Sequence, residues 1–136
     1  MNKKVVLTPH HGEFLKLTPF KKTDLQNLPW QCLNEYLTNK NFVVNLKGAP
    51  SMVGIPDGKI FINPTGNPGL AKGGSGYVLA GIIGGFMARG LDPITSAITG
   101  NFIHGEAADI LLNVYGTTSL LPSDLIEVLP ELLDIY

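Results

Sequence analysis

Residues 67–77 read Asn-Pro-Gly-Leu-Ala-Lys-Gly-Gly-Ser-Gly-Tyr and run without a break into the apolar segment 78–87. A glycine cluster set directly ahead of a helix-like run constrains the fold of this chain more than any other stretch. Glycines at 66, 69, 73, 74 and 76 let the backbone reach positive φ and come close to a ligand. A helix that begins near Gly76 would offer unpaired N–H groups and the positive end of its dipole, which suits an anion such as a nucleotide phosphate. On the residues alone the alternative is a tight strand-to-helix turn that binds nothing. Lys72 precedes the paired glycines instead of following a spaced one, so this is not a Walker A loop, and no G-x-G-x-x-G follows a strand here.

The bulk composition narrows the partners. A chain of 136 residues, 44% hydrophobic and 15% charged, suits one soluble globular domain, here residues 1–136, with a core of ordinary size. A net charge of −1 gives no general pull toward nucleic acid or anionic membrane, so any anion site must be local. The single cysteine, Cys32, excludes an internal disulfide. With no Cys/His cluster at ligand spacing no protein metal site is expected, and a reducing, cytoplasmic setting fits best. The N-terminus is basic, but its apolar run is three residues long, and glycines interrupt the longest apolar helix, so neither a signal peptide nor a membrane span is expected.

Period and turn chemistry set the order of elements. Residues 5–7 read as a short buried strand ended by Thr8 and Pro9, with residues 10–13 just past its carboxyl end. Residues 23–40 predict a helix interrupted or restarted at Pro29, with Trp30 and Cys32 as packing residues. Strands follow at 42–46, 51–55 and 59–62, the last two joined at Asp57 and Gly58 as an antiparallel hairpin. Residues 77–89 are apolar nearly all round, which predicts a buried helix closed by Gly90. Asp92 and Pro93 start the next helix, where positions from Ile94 through Ile110 to Val114 recur at helical spacing, and Ser123 and Asp124 cap a final helix over 125–133 with Leu125, Ile126, Leu129 and Leu132 on its apolar face. Strands first, a hairpin in the middle and helices last argue for an α/β layered domain.

Five ordered motifs carry a resemblance: Thr-Pro-His-His-Gly-Glu-Phe at 8–14, Leu-Lys-Gly-Ala-Pro-Ser at 46–51, the glycine segment 67–81, Asn-Phe-Ile-His-Gly-Glu-Ala-Ala-Asp at 101–109, and Leu-Pro-Ser-Asp-Leu-Ile-Glu-Val-Leu-Pro at 121–130. Together they resemble the ADP- or ATP-dependent NAD(P)H-hydrate dehydratases, which have a ribokinase-like fold. The resemblance implies repair of hydrated NADH or NADPH at the expense of ADP or ATP, with Mg²⁺ expected from the family. It implies that His10, Glu13 and Tyr77 face the substrate, and that Lys47, Gly48, Ala49, Pro50 and Ser51, with Gly73, Gly74, Ser75 and Gly76, line the adenine nucleotide.

Two departures qualify what is implied. Tyr77 stands where the family pattern has an Asp that acts as base on the substrate hydroxyl. A phenol of pKa about 10 is ionised to roughly one part in a thousand near neutrality, whereas a carboxyl of about 3.9 is almost fully available. A helix N-terminus favours phenolate by only about 0.3–1 kcal/mol, less than one pKa unit. The reading is therefore a degenerate member that keeps nucleotide binding without turnover at Tyr77. The resemblance also covers only the C-terminal half of a family member, which leaves a sheet edge and an apolar face to cover. That implies a homo-oligomer or a separate N-terminal half chain. Such a partner chain would restore hydro-lyase activity, and the third alternative is a non-catalytic interaction protein or gene remnant. His11 replaces a family Pro.

Beside these roles stand plainer ones. Glu13 equally suits the first turn of a helix, Lys47 a strand end, and Lys72 either the anion or water. His104 reads as a satisfied core histidine, and Glu106 and Asp109 as the solvated face of their helix.

Overall fold

The computed structural model describes residues 4–135, so the first residues of the basic N-terminus lie outside the described residues. The chain divides into two compact units, one running to Asn63 and including Asp92–Ile98, the other made of Pro64–Leu91 and the chain from Thr99 onward.

The first unit is built on a four-stranded sheet in the order β1 (Val6–Leu7), β2 (Val43–Leu46), β3 (Met52–Gly54) and β4 (Ile60–Ile62). β1 runs parallel to β2, with Val6 opposite Val43. β2 with β3 and β3 with β4 are antiparallel, pairing Asn45 with Val53 and Val53 with Phe61. The hairpin expected at Asp57 and Gly58 forms, closed by the Gly58 N–H to the Ile55 carbonyl at 3.1 Å and tied by the Lys59 N–H to the Asp57 carboxylate at 3.0 Å. The parallel pair needs a long crossover, which α1 (His11–Leu17), α2 (Lys22–Asn27) and α3 (Pro29–Leu37) supply. Pro29 restarts the helix at the first position of α3, where its missing N–H costs nothing.

All of β2 is buried because both of its faces are covered. Val44 and Leu46 join Phe14, Leu25, Leu33 and Leu37 on one face, and Val43 joins Val53, Ile55 and Ala97 on the other. Burying a side chain such as Phe14 or Leu33 fully contributes about 1.5–3 kcal/mol. Trp30 departs from its expected packing role and is 46% exposed, because Cys32, Leu33 and Leu37 occupy the buried side of α3.

The second unit contains one 3₁₀ turn (Pro68–Leu70), α4 (Ser75–Ala88), most of α5 (Pro93–Ser119) and α6 (Pro122–Ile135). α5 starts where Asp92 predicted, its carboxylate accepting the N–H groups of Ile94 and Thr95 at 3.0 Å each. Left-handed geometry at Gly116 (φ 64°) interrupts α5 near its end. α6 begins at Pro122, earlier than expected, because the Asp124 carboxylate reaches back to the Leu121 N–H at 2.8 Å and Pro122 continues from that cap. Ile103, Ala107, Ala108, Leu120, Leu125 and Leu132 form the core of this unit.

Apolar sequence overstated burial here. Leu79 and Ile83 of α4 are buried, but Tyr77, Ala80, Gly81, Gly84, Gly85 and Ala88 are exposed along another face. Ile110, Val114 and Ile126 are exposed as well, against expectation. No helix of the described residues is long and apolar enough to cross a membrane.

Candidate nucleotide and substrate site

The first group of implied site residues lies where β1 and β2 end. His10 and Lys47 form an isolated parallel bridge, and the Lys47 N–H donates to the Pro9 carbonyl at 2.8 Å, so the ends of the two strands are level. His10 is the N-cap of α1: its Nδ1 accepts the Glu13 N–H at 3.1 Å, while the Glu13 carboxylate accepts the His10 N–H at 2.8 Å. This is a capping box with an imidazole in place of a hydroxyl. An accepting Nδ1 puts the ring proton of neutral His10 on Nε2, which lies 3.5 Å from Glu13 Oε1. Lys47 Nζ lies 3.9 Å from Glu13 Oε2. The His10 backbone N–H is the main reason that the Glu13 carboxyl sits below its ordinary range, with the charges of His10, Lys47 and Lys16 acting in the same direction. His10, Glu13 and Lys47 are thus brought together, and Glu13 both orients His10 and caps the helix.

The loop after β2 continues this group. The Ser51 hydroxyl donates to the Gly48 carbonyl at 3.1 Å, and the peptide between Ala49 and Pro50 is cis. The His11 ring rests on Gly48, where an added Cβ would stand 2.8 Å from His11 Nε2. Burial, with His10 adding to it, pushes the His11 pKa below its ordinary value. Gly48, Ala49 and Pro50 are exposed and Lys47 is half-buried, an edge of cationic and peptide groups open to a ligand.

The second group lies at the start of α4. Gly74 is the N-cap, at φ 97° and ψ −24°, a conformation that a residue with a Cβ rarely adopts, and no side chain caps the helix. The Ser75 N–H donates to the Lys72 carbonyl at 3.2 Å and the Tyr77 N–H to the Gly74 carbonyl at 3.1 Å, so of the first-turn groups the Gly76 N–H, beside the loop N–H groups of Gly73 and Gly74, is the donor that suits an anion. Ser75 is buried, held by His104, whose Nε2 lies 3.0 Å from the Ser75 carbonyl and 3.2 Å from its hydroxyl. A carbonyl only accepts, so Nε2 carries the proton. His104 is the satisfied core histidine that the sequence suggested. Tyr77, the third residue of α4, is 85% exposed.

Sequence reading missed how this loop is held. The Asp109 carboxylate, expected to face solvent, accepts the Gly66 N–H at 2.8 Å and the Asn67 side-chain amide at 2.9 Å. The Thr65 hydroxyl donates to the Phe102 carbonyl at 2.8 Å, and the Lys72 ammonium reaches the Thr118 carbonyl instead of remaining free for an anion. The spacing of Gly105 and Asp109, one turn apart on a helix, was the available signal that these positions share a face.

Among the described residues no cluster of three or more His, Cys, Asp or Glu side chains offers a metal site. In the second unit the loop and helix N–H groups at the start of α4 are donors of a kind that suits phosphate, and in the first unit Lys47 is another. They offer Mg²⁺ no protein cage, so the ion would be held chiefly by nucleotide oxygens and water.

A mixed sheet with helices on both faces and a glycine-led, uncapped helix N-terminus define a ribokinase-like α/β chain. In agreement, a ribokinase-like superfamily protein from Enterococcus faecalis superposes with a TM-score of 0.70 at 30% identity, covering 98% of this chain and 45% of that one. The match to the family model for NAD(P)H-hydrate dehydratase spans residues 1–131, and the chain belongs to that family. It is 40% identical over 129 residues to the bifunctional NAD(P)H-hydrate repair enzyme Nnr of Moorella thermoacetica, covering 95% of this chain and 24% of that protein. The crystal structure of the Bacillus subtilis ADP/ATP-dependent NAD(P)H-hydrate dehydratase, co-crystallised with ATP and Mg²⁺, superposes with a TM-score of 0.90 at 33% identity, over 96% of this chain and 47% of that one. The chain thus spans about half the length of the single-function relatives that it matches.

Proposed function

We propose that residues 1–136 form one domain, the C-terminal half of an NAD(P)H-hydrate dehydratase, that binds ADP or ATP with Mg²⁺ and does not turn over hydrated NADH or NADPH by itself. The observation that carries this reading is the uncapped N-terminus of α4 behind Gly74, in a family with a member co-crystallised with ATP and Mg²⁺. Gly73, Gly74, Ser75 and Gly76 line the phosphate, with the N–H groups of the three glycines as donors. Lys47, Gly48, Ala49, Pro50 and Ser51 contact the rest of the nucleotide, and His10 and Glu13 contact the hydrated dinucleotide. Tyr77 supports the loss of turnover, because an exposed phenol stands where the family pattern has a carboxylate. The setting is cytoplasmic.

A second reading is favoured by the exposed apolar residues Ile110, Val114, Ile126 and Leu133. A partner covers them, either a second copy or a separate N-terminal half chain, and turnover returns in the latter case. Calorimetric titration of the purified chain with ADP and ATP in Mg²⁺ tests the nucleotide reading. Saturable one-site binding is expected, and none up to millimolar nucleotide would refute it. Turnover of hydrated NADPH by the isolated protein would refute the inactive assignment, and Tyr77→Asp, assayed with and without an N-terminal half chain, separates the effect of Tyr77 from that of the rest of the family fold.

A further inference from the structure

We infer that Asp109 is a positioning residue that sets the geometry of the glycine loop ahead of α4, an inference that rests on reading this loop as the nucleotide-phosphate site. Asp109 lies on α5, more than forty positions along the chain from the residues that it holds. Its two oxygens are divided between them: Oδ2 accepts the Gly66 N–H at 2.8 Å and Oδ1 accepts the Asn67 Nδ2 at 2.9 Å. The other end of the Asn67 amide is then committed, since its Oδ1 accepts the Gly69 N–H at 2.9 Å and caps the 3₁₀ turn. A carboxylate only accepts, so it fixes which way the amide points, and with it the turn that leads into Gly73 and Gly74. Further along, Lys72 is tied to Thr118 and Ser75 to His104, so α5 anchors the loop at its start, middle and end. The segment that carries Gly73 and Gly74 spans between fixed points. A loop ordered before the ligand arrives loses less freedom on binding, which raises affinity without any contact from Asp109 itself. An anion would not choose a carboxylate as a ligand, and here both oxygens are occupied by N–H donors, two charge-assisted bonds that suit a scaffold.

The test uses reciprocal exchange. Asp109→Asn keeps an acceptor for Gly66 but turns a second NH₂ toward the Asn67 NH₂, so either the Asp109 link or the Gly69 cap breaks. Combining it with Asn67→Asp restores complementarity, because a carboxylate at 67 accepts from the amide at 109 and still caps Gly69. Amide hydrogen exchange of the full chain by NMR, at Gly66, Gly69 and the loop up to Gly76, is read beside ADP affinity by calorimetry. Asp109→Asn is expected to lower protection at Gly66 and Gly69 and to weaken ADP about tenfold, and the double variant to recover both to within about threefold. Unchanged exchange and affinity in Asp109→Asn, or a loss that the double variant does not recover, would overturn the inference. If the wild-type chain binds no ADP the nucleotide reading fails, and recovery of exchange protection alone decides for or against positioning. Should Asp109→Asn not fold, Asn67→Ala removes the same link and is compared with the double variant.

Discussion

The same methyl group added at two helical glycines should act with opposite sign. At Gly105 of α5 a Cβ would stand 2.1 Å from the Thr65 hydroxyl oxygen, 2.7 Å from the Thr65 carbonyl carbon and 2.8 Å from the Gly66 nitrogen. Two of these neighbours are backbone, so no rotamer change relieves the clash, and the chain at 65–66 must move by roughly 1 Å to reach ordinary contact. Overpacking of this kind costs about 1–3 kcal/mol. Displacing Thr65 also strains its 2.8 Å hydrogen bond to Phe102, worth about 1 kcal/mol. Alanine returns about 1 kcal/mol of helix propensity over glycine, so Gly105→Ala should destabilise by a net of about 1–3 kcal/mol. At Gly84 of α4 an added Cβ meets nothing within 4 Å. There only the propensity acts, and Gly84→Ala should stabilise by about 1 kcal/mol. For a chain of this size about 3–4 °C per kcal/mol separates the two melting temperatures, so the variants should differ by roughly 6–16 °C. Thermal and urea unfolding followed by far-UV circular dichroism measures both. Gly105→Ala as stable as Gly84→Ala would refute the steric argument.

Three further outcomes follow from single residues. Asn45 is fully buried in β2, and neither atom of its side-chain amide has a hydrogen-bond partner among the described residues. Asn45→Val should therefore raise the urea unfolding midpoint, by about 1–3 kcal/mol of stability, and a loss would show that the amide is satisfied in solution. His11 has a lowered pKa from burial and the nearby His10, so as pH falls through about 6.5 the unfolded chain takes up this proton before the folded one does. More protons bound by the unfolded state means that stability rises with pH in that window; His11→Gln should flatten the slope in urea titrations from pH 5 to pH 8, and an unaltered slope would contradict the assignment. Desolvation, with Asp24 and Glu35 adding to it, raises the Cys32 thiol, which is buried in α3. Its reaction with an aromatic disulfide reagent at pH 8 should be at least about tenfold slower than that of a free thiol, and a rate equal to that of a small thiol would show the helix to be open.

What could be read in advance follows a physical division. The hairpin at Asp57 and Gly58, the restart at Pro29, the Asp92 cap and the glycine-led start of α4 were legible because each is decided by φ, ψ and hydrogen bonds within a few residues. Strand β2 was legible for the same reason, since a short run of apolar, β-branched residues between turn signals is a local property. His104 was recognisable as a buried histidine, but its partner Ser75 lies 29 residues away and was not.

By itself, then, the sequence determined the strands, the hairpin, the helices from residue 23 onward and the family motifs, because backbone sterics, period and residue chemistry are local properties. Only the tertiary structure decided that Trp30 and one face of α4 are exposed, that Asp109 turns inward, and that Gly105 leaves no room for a methyl beside Thr65. An apolar residue is equally apolar with or without a neighbour, and a helical carboxylate has the same local geometry facing water or a loop. Which of the two holds is set by contacts between distant parts of the chain.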